Sequence, residues 1–512
     1  MKAGIRLTDF DEAYKVTNAK ELLERISELY HQVVAEGEAI FDQWEAEITR
    51  EDFTESARNL SYYLALRQRD IRGIQRDLVP WGLSSLGRLE SKTLSTLEAV
   101  IHALKAIVGK EISQQTPEFD EFSFGEERLA RNTTSILGEK PNNRNARIMV
   151  TMPTEAAEDV QLVKNLIQKG MNVARINCAH DTKDVWTQII GNVRQIATEL
   201  GKDVRILMDI AGPKIRTDWI FTTHKKPKVS VGDTICLTKD YEHLPKNSEA
   251  KVTAGCSIPQ IFEQLSIDDA VLIDDGSVET KVIEVDDNFA ILKVQKVKGK
   301  SIRIKAEKGL NFPGLYFDVD ILTQEDKDAI LFATTHADII GCSFIRDVKD
   351  IQAIQKELQT ILGPKAKEMT LMVKIETVQA VKNLTQIIVA AASQNPFSVM
   401  IARGDLAVET GYIRLAEVQQ QIMWICEAAD VPVVWGTEVL ANMIETGIPS
   451  RAEVTDAAEG GRSDCVMLNK GNHIVAAVEM LDEILHMMKE HQFKKTPKLR
   501  ALSIAQTTNN AH

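Results

Sequence analysis

Apolar residues recur at spacings of three and four between about residues 18 and 110, which is the period of a helix with one buried face. We therefore predict that residues 1–115 form a helical module, and that 116–145, rich in acidic residues, Asn and Pro, form a linker. The two clearest apolar series are Leu22, Leu23, Ile26, Leu29, Tyr30 and Val33, and Leu94, Leu97, Val100, Ile101, Leu104 and Ile107.

From Ala146 onward, short apolar runs alternate with helical stretches. Alternating strands and helices of this kind predict an α/β fold, a (β/α)8 TIM barrel that occupies 146–218 and 306–495, followed by a tail at 496–512. The eight apolar runs lie at 146–151, 173–177, 204–209, 338–344, 370–376, 398–402, 431–437 and 465–469.

The interval between the third and fourth runs has a different pattern. Segments such as 229–233, 271–276 and 289–297 alternate apolar and polar residues or end in turn residues, as strands of a small sheet do. We therefore predict an inserted β domain at 219–305, after the third strand of the barrel.

Composition and charge limit the classes of partner and the cellular location that we expect. The 61 Lys and Arg residues against 74 Asp and Glu leave a net charge of −13, which argues against nucleic acid as a partner. The apolar runs are much shorter than the roughly 18 residues that a membrane span needs, so no membrane partner is expected. The first ten residues have no continuous apolar stretch of a secretory signal, so we expect a cytoplasmic protein.

In a barrel of this class the active site lies at the carboxyl ends of the strands. Lys374 and Glu376 are two apart on the fifth strand and therefore point to the same side, and Asp405 follows the sixth strand. Two carboxylates from adjacent strands suit Mg²⁺; the alternative is that Lys374 and Glu376 form only a structural ion pair.

Positive charge is expected at the same end of the barrel. Arg175 at the end of the second strand and Lys374 suit a phosphoryl group, and Gly404 allows backbone N–H groups to approach an anion. The alternative for Arg175 is a salt bridge at the end of the barrel.

Short motifs carry a resemblance to a known family, and their order and spacing are together much more specific than any one of them. From Ala146 to about Met488 the chain resembles pyruvate kinases. The motifs are GMNVARIN at 170–177, DIAGPKIRT at 209–217, IDDG at 273–276, KGLNFPG at 308–314, SFIR at 343–346, KIE at 374–376, ARGDL at 402–406 and SRAE at 450–453.

The resemblance implies phosphoryl transfer from phosphoenolpyruvate to ADP, giving pyruvate and ATP. It implies that Glu376 and Asp405 bind Mg²⁺, that Lys374 stabilises the phosphoryl group, and that Arg175 holds the phosphate. The amides of Gly404 and Asp405, with Thr437, would hold the substrate carboxylate, and Thr437 would belong to the route that protonates the enolate. The residues implied on the nucleotide side are Asn177, His180, Arg216 and Lys308; the alternative for His180 and Lys308 is that they are ordinary surface residues.

The chain departs from the family pattern where potassium binds. Ala179 replaces a Ser, Ile210 replaces a Thr, and Lys214 stands where potassium-dependent members carry Glu. The first two changes remove oxygen ligands, and the ammonium of Lys214 can take the place of the ion. The resemblance is therefore to the potassium-independent branch, with Lys214 as the cation substitute; the alternative is that Lys214 is a solvated residue at the barrel end.

The loop after the eighth strand reads Asn469-Lys470-Gly471-Asn472 where the family usually has Ser-Gly-Glu-Thr. The change removes a hydroxyl from the implied proton route. Two other hypotheses therefore stay open beside an active pyruvate kinase: a divergent barrel enzyme that binds phosphoenolpyruvate or a similar enolate but uses another acceptor, and a catalytically silent regulatory paralogue. A homo-oligomer is expected.

Overall fold

The computed structural model describes residues 18–111, 118–223, 228–242, 249–315 and 317–498. The first 17 residues of the predicted module and residues 499–512 of the predicted tail lie outside these ranges. The chain forms two compact units. One contains the described residues up to Arg128 together with Ala428–Asp430, and the other contains the remaining described residues.

The first unit is helical, as the apolar spacing predicts. Asn18 caps the first helix through its side chain, which accepts hydrogen bonds from the backbone N–H groups of Lys20 and Glu21. Gly37 is required where two helices meet, because a Cβ there would lie 2.3 Å from Cδ1 of Tyr62. The helices are α1 (Ala19–Glu45), α2 (Glu51–Arg67), α3 (Arg72–Leu78) and α4 (Thr93–Ile107).

The predicted apolar faces are largely buried. In α1, Leu22, Ile26 and Val33 are fully buried, whereas Ile107 at the end of α4 is 45% exposed and does not belong to the core. The next helix, α5 (Phe119–Leu137), lies where we predicted a linker. Its acidic composition conceals an apolar spacing whose last members, Ile136 and Leu137, are buried.

The barrel begins with parallel strands and connecting helices. Strand register pairs Met149 with Val173, and Arg175 with Leu207. The elements are β1 (Arg147–Thr151), α6 (Val160–Lys169), β2 (Val173–Asn177), α7 (Lys183–Leu200) and β3 (Arg205–Asp209).

The inserted β domain follows β3. Its main sheet has the order β12-β8-β9-β10-β6-β7-β4, and β5 pairs with β11. The sheet starts two residues before the predicted insert and closes with β12, so it reaches beyond the predicted range 219–305. Its strands are β4 (Thr217–Phe221), β5 (Lys228–Val229), β6 (Thr234–Thr238), β7 (Val252–Cys256), β8 (Ala270–Ile273), β9 (Val278–Val285), β10 (Phe289–Val297), β11 (Ile302–Arg303) and β12 (Leu310–Asn311).

The chain then completes the barrel. The elements are α8 (Gln324–His336), β13 (Ile339–Cys342), α9 (Val348–Leu362), β14 (Thr370–Ile375), α10 (Val378–Lys382), α11 (Leu384–Ala392), β15 (Phe397–Ala402), α12 (Arg403–Thr410), α13 (Tyr412–Ala428), β16 (Val433–Gly436), α14 (Ala441–Thr446), α15 (Arg451–Gly460), β17 (Cys465–Leu468), α16 (Ile474–Lys489), β18 (Gln492–Phe493) and β19 (Thr496–Pro497).

The barrel closes in the order β1-β17-β16-β15-β14-β13-β3-β2. The predicted (β/α)8 fold with an insert after the third strand and a helical N-terminal module is therefore confirmed, and each predicted barrel strand agrees with an observed one within two residues at both ends. Within the part of the chain that the structure describes, no helix is both long enough and apolar enough to cross a membrane.

Two layers of side chains fill the barrel, and the period of two along each strand relates them. We call the apolar layer the floor: Ile136 and Leu137 of α5, with Met149, Val173, Leu207, Ile339, Met372, Met400, Val434, Cys465 and Met467. We call the polar layer at the carboxyl ends of the strands the mouth: Thr151, Arg175, Asp209, Ser343, Lys374 and Glu376.

Candidate active site

Arg175 is held rigidly at the mouth. Its Nε and Nη2 donate to Oδ2 of Asp209 at 2.8 and 2.5 Å, and its Nη1 donates to Oγ1 of Thr151 at 2.8 Å. Arg175 is 8% exposed and Asp209 1%. Each of the two residues stands two positions after a floor residue, so the strand geometry delivers both to one place.

Lys374 lies beside this pair. Its Nζ donates to Oγ of Ser343 at 2.9 Å, lies 2.9 Å from Oε1 of Glu376, and lies 3.6 Å from Oδ2 of Asp209. Burial by itself would lower the pKa of Lys374, but Asp209 and Glu376 outweigh it and raise that pKa above its ordinary value. The ammonium is therefore charged at neutral pH.

The opposite balance holds for Asp209. Burial by itself would raise the pKa of this carboxyl group, but Lys374 and Arg175 outweigh it and keep the pKa below its ordinary value. The mouth thus brings two basic side chains and a carboxylate together at a largely buried place.

Glu376 faces a second carboxylate. Its Oε2 accepts a hydrogen bond of 2.6 Å from the backbone N–H of Phe344. Burial and the nearby charge of Asp405 nevertheless raise the pKa of Glu376. Two carboxylates that repel each other in a buried site are suited to a hard divalent cation. Among the described residues, no group of three or more His, Cys, Asp or Glu side chains is arranged to hold a metal ion, so such a cation would have two carboxylates and other oxygen ligands.

Gly404 and Thr437 are in contact. The backbone N–H of Gly404 donates to Oγ1 of Thr437 at 2.7 Å. Thr437 has a φ of +62°, which is uncommon for a β-branched residue and requires support from its surroundings. Arg403 supplies part of it, since its Nη2 donates to the carbonyl of Thr437 at 2.6 Å while the guanidinium also pairs with Asp456.

Lys214 lies in the segment between β3 and the inserted domain and contacts Asp405. Its Nζ lies 2.8 Å from Oδ1 of Asp405 and 3.8 Å from Oδ1 of Asp275, and its side chain is 18% exposed. The interpretation of Lys214 as a solvated end residue is therefore wrong. Its partner is a carboxylate that we expect to bind metal, and Nδ2 of Asn311 donates to the same oxygen at 3.4 Å.

Ala179 and Ile210, the two positions without a side-chain oxygen for potassium, make backbone hydrogen bonds. Ala179 donates its backbone N–H to Oδ1 of Asn177 at 3.2 Å, so this oxygen already has a donor. The side chain of Ile210 is buried, and its carbonyl accepts a hydrogen bond of 2.7 Å from Ser343.

The remaining residues expected on the nucleotide side occupy two places. His180 lies exposed in the turn after β2, near Asn177. Arg216 and Lys308 lie at the junction of the barrel and the inserted domain, where Arg216 pairs in a β-bridge with Gly309. Nη1 of Arg216 donates to the carbonyl of Glu307 at 3.2 Å, and Nζ of Lys308 lies 2.8 Å from Oδ1 of Asp274.

Three residues of the site received no role from the sequence. Asp209 and Ser343 were visible as polar residues at strand ends, and Thr151 closes the first apolar run. Their position two residues after a floor residue, or directly after a strand, was the available signal. They contact Arg175 or Lys374 across neighbouring strands, and such contacts cannot be inferred from local sequence.

Comparison with known proteins gives a consistent result. The family model described as "Pyruvate kinase, barrel domain" matches residues 143–478. The chain is 31% identical over 340 residues to Pyruvate kinase 2 of Trypanosoma brucei brucei. This match covers 65% of this chain and 64% of the relative. It is 31% identical over 354 residues to a pyruvate kinase of Dictyostelium discoideum, covering 66% and 65% of the two chains. The chain thus matches less than two thirds of the length of these relatives.

A solved structure agrees with the sequence comparisons. The crystal structure of a pyruvate kinase from Cryptosporidium parvum superimposes with a TM-score of 0.60 at 28% sequence identity, covering 69% of this chain and 72% of the other. The matched segment of the family model includes the whole barrel from β1 to β17 and the inserted domain. This chain therefore belongs to the pyruvate kinase family.

Proposed function

We propose that the protein transfers the phosphoryl group of phosphoenolpyruvate to ADP and forms pyruvate and ATP. The observation that carries the proposal is the buried charged array at the mouth, in which Arg175 and Lys374 converge on Asp209. Phosphoryl transfer depends on positioning and charge neutralisation more than on covalent participation of the protein. A preorganised pair of cations in a largely buried site meets that need.

Arg175 and Lys374 would have different roles at the phosphoryl group: Arg175 would bind it, and Lys374 would neutralise its charge during transfer. Asp209 and Thr151 fix the orientation of the Arg175 guanidinium, so it can hold phosphate oxygens without further rearrangement. Lys374 keeps its proton because Asp209 and Glu376 raise its pKa. Its ammonium can therefore neutralise the charge on the group in transit.

Glu376 and Asp405 would hold Mg²⁺. The fit rests on their chemistry, since burial and the charge of Asp405 together raise the pKa of Glu376, and a divalent cation would relieve this repulsion. When bound, Mg²⁺ neutralises charge on the phosphoryl oxygens and the substrate. Asp405→Asn should lower turnover and weaken its dependence on the Mg²⁺ concentration. An unchanged magnesium titration would reject the assignment.

The substrate carboxylate would lie against Gly404, Asp405 and Thr437. The Gly404 N–H donates to Oγ1 of Thr437, so the two groups lie side by side, and a bound carboxylate would take the place of this hydrogen bond. Thr437 would also lead the proton to the enolate. Asn177, His180, Arg216 and Lys308 would bind the nucleotide from the β2 turn and the domain junction.

We further propose that activity does not require potassium. Lys214 places a permanent positive charge 2.8 Å from Asp405, while Ala179 and Ile210 offer no side-chain oxygen. Rates in sodium, potassium and tetramethylammonium salts at constant ionic strength should be nearly equal. Lys214→Glu should lower activity, and potassium should rescue it poorly because the oxygen ligands are still absent. Strong potassium activation of the unaltered protein would overturn this proposal.

The reaction itself is tested with purified protein, phosphoenolpyruvate, Mg²⁺ and a panel of nucleoside diphosphates, with pyruvate and nucleoside triphosphate measured separately. We expect both products in equal amounts. Consumption of phosphoenolpyruvate without formation of nucleoside triphosphate would favour an enzyme with another acceptor. Binding of phosphoenolpyruvate without its consumption would favour a silent paralogue, and either result would reject the proposal.

A further inference from the structure

The ammonium group of Lys374 has three N–H groups, and contacts with the protein account for two of them. Nζ donates to Oγ of Ser343 at 2.9 Å and lies 2.9 Å from Oε1 of Glu376. Oδ2 of Asp209 is 3.6 Å away, which is too far for a hydrogen bond. Among the described residues, the third N–H therefore has no acceptor within hydrogen-bond distance, and the other two contacts determine its direction.

The hydrogen atom of the Ser343 hydroxyl is directed away from Lys374. Oγ of Ser343 donates to the carbonyl of Ile210 at 2.7 Å, while Oδ1 of Asp209 is more distant at 3.3 Å. A hydroxyl has one hydrogen atom and two lone pairs, and a carbonyl can only accept. Ser343 therefore presents a lone pair to the Lys374 ammonium, and a backbone group fixes the direction of its hydroxyl.

The backbone around Ser343 is held tightly. Ser343 directly follows β13 and is 3% exposed. A Cβ on Gly212, which has a φ of +65°, would lie only 2.8 Å from the carbonyl oxygen of Ser343. Phe344 has a φ of +57°, which persists only where the surroundings impose it, and its N–H donates to Oε2 of Glu376 at 2.6 Å. The segment 343–344 thus holds Lys374 directly and Glu376 through its backbone.

We infer that Ser343 is a positioning residue, which fixes the Lys374 ammonium so that its third N–H faces the phosphoryl group during transfer. The inference rests on the proposed reaction and extends it to a hydroxyl that would not touch the substrate. A lysine ammonium is a point charge on a flexible stem. It stabilises a transition state best when its position is fixed before the reaction begins.

Ser343→Ala removes the acceptor and should lower kcat about tenfold, the effect of losing one hydrogen bond of ordinary strength. KM for phosphoenolpyruvate should change less than about twofold, because Arg175 keeps its hydrogen bonds to Asp209 and Thr151. Ser343→Thr, which keeps the hydroxyl, should retain most of the activity. Ser398→Ala is the matched control, because Ser398 is also buried but its Oγ has no hydrogen-bond partner in the described part of the chain. An unchanged kcat in Ser343→Ala, or an equal loss in Ser398→Ala, would overturn the inference.

A double-mutant cycle separates the positioning of Lys374 from a general structural role. Adding Ser343→Ala to Lys374→Met should lower kcat no further than Lys374→Met alone, because the group that Ser343 orients is gone. A structural role would lower kcat by the same factor in both backgrounds, and that result would refute the inference. Rates are normalised to the folded fraction from circular dichroism. Ser343→Cys, whose thiol is a weak acceptor, replaces Ser343→Ala if that variant does not fold.

The cycle also distinguishes a failure of this inference from a failure of the proposed reaction. If the unaltered protein forms no pyruvate, the proposed function is wrong, and the same four proteins are compared by urea denaturation at neutral pH, which requires no turnover. Non-additive changes in the free energy of unfolding would support the contact by which Ser343 positions Lys374. Additive changes would overturn the inference whatever the reaction is.

Discussion

On β14, Met372 belongs to the floor and Lys374, two residues later, belongs to the mouth. The same step leads from Leu207 to Asp209 on β3 and from Val173 to Arg175 on β2. Both layers are buried, and both use the inward positions of the same strands. They differ in how burial is compensated. Floor side chains gain free energy by leaving water, whereas mouth side chains lose their hydration and replace it with ion pairs and hydrogen bonds to each other and to backbone groups.

The two layers should contribute differently to the free energy of unfolding. A buried ion pair is weak evidence for stability, because desolvation can cost as much as the attraction returns. The cluster of Arg175, Asp209 and Lys374 is therefore better understood as preparation for an anionic ligand. Substitutions in the floor and in the mouth should therefore differ in the size of the stability loss, in its dependence on pH and in their effect on turnover.

The largest effect is expected for Asp209→Asn. Removal of the carboxylate leaves the buried Arg175 without its ion-pair partner, while Lys374 keeps Glu376. Breaking a buried pair typically costs about 3–5 kcal/mol of unfolding free energy. Urea denaturation of the variant and the unaltered protein at neutral pH measures this loss. A loss below about 1 kcal/mol would mean that the mouth does not depend on this carboxylate.

The same variant has a pH signature. The folded pKa of Asp209 is below its ordinary value of 3.8, so its contribution is fully present above that value and is lost as the pH falls through the folded pKa. The difference between Asp209→Asn and the unaltered protein should therefore shrink below about pH 4. A difference that stays constant in acid would contradict the charged state of Asp209.

Lys374→Met should affect turnover. It removes one preorganised cation from the mouth, which typically lowers kcat by a factor of about 10²–10³. Steady-state kinetics with phosphoenolpyruvate and ADP, normalised to the folded fraction from circular dichroism, provides the measurement. Lys374→Arg, which keeps the charge, is the control. Equal turnover in Lys374→Met and the unaltered protein would reject the role.

Thr151→Val tests the support of Arg175. The substitution nearly conserves volume but removes the acceptor that lies 2.8 Å from Nη1 of Arg175. An unpaired buried donor costs about 1–3 kcal/mol. We expect this loss in urea denaturation together with a raised KM for phosphoenolpyruvate; a stability loss without a change in KM would separate Thr151 from the substrate site.

Ile339→Val in the floor should have the smallest effect. Removing one methylene group from a packed core costs about 0.5–1.5 kcal/mol. Because no charge is involved, this cost should be the same at pH 4 and pH 7, and turnover per folded molecule should not change. A pH-dependent cost, or a change in kcat, would show that floor and mouth are not independent.

Much of the barrel could be predicted from the sequence. Each apolar run corresponds to an observed strand because local hydrophobic pattern and period determine which segments are buried and which side chains face inward. The same period placed Lys374 and Glu376 on one side of β14. Helix α5 escaped prediction because Ile136 and Leu137 are buried only by packing into the barrel.

Pairings between distant residues were decided by the tertiary structure. Lys214 and Asp405 are 191 positions apart, and their local sequences do not predict the contact between the ammonium and the carboxylate. Asn311 and Asp405, 94 positions apart, likewise meet only because β12 brings Asn311 beside the end of the barrel. Sequence pattern determines local geometry through short-range sterics and burial, whereas the partner of a charge depends on which chain segments the closed barrel and its insert bring within hydrogen-bonding distance.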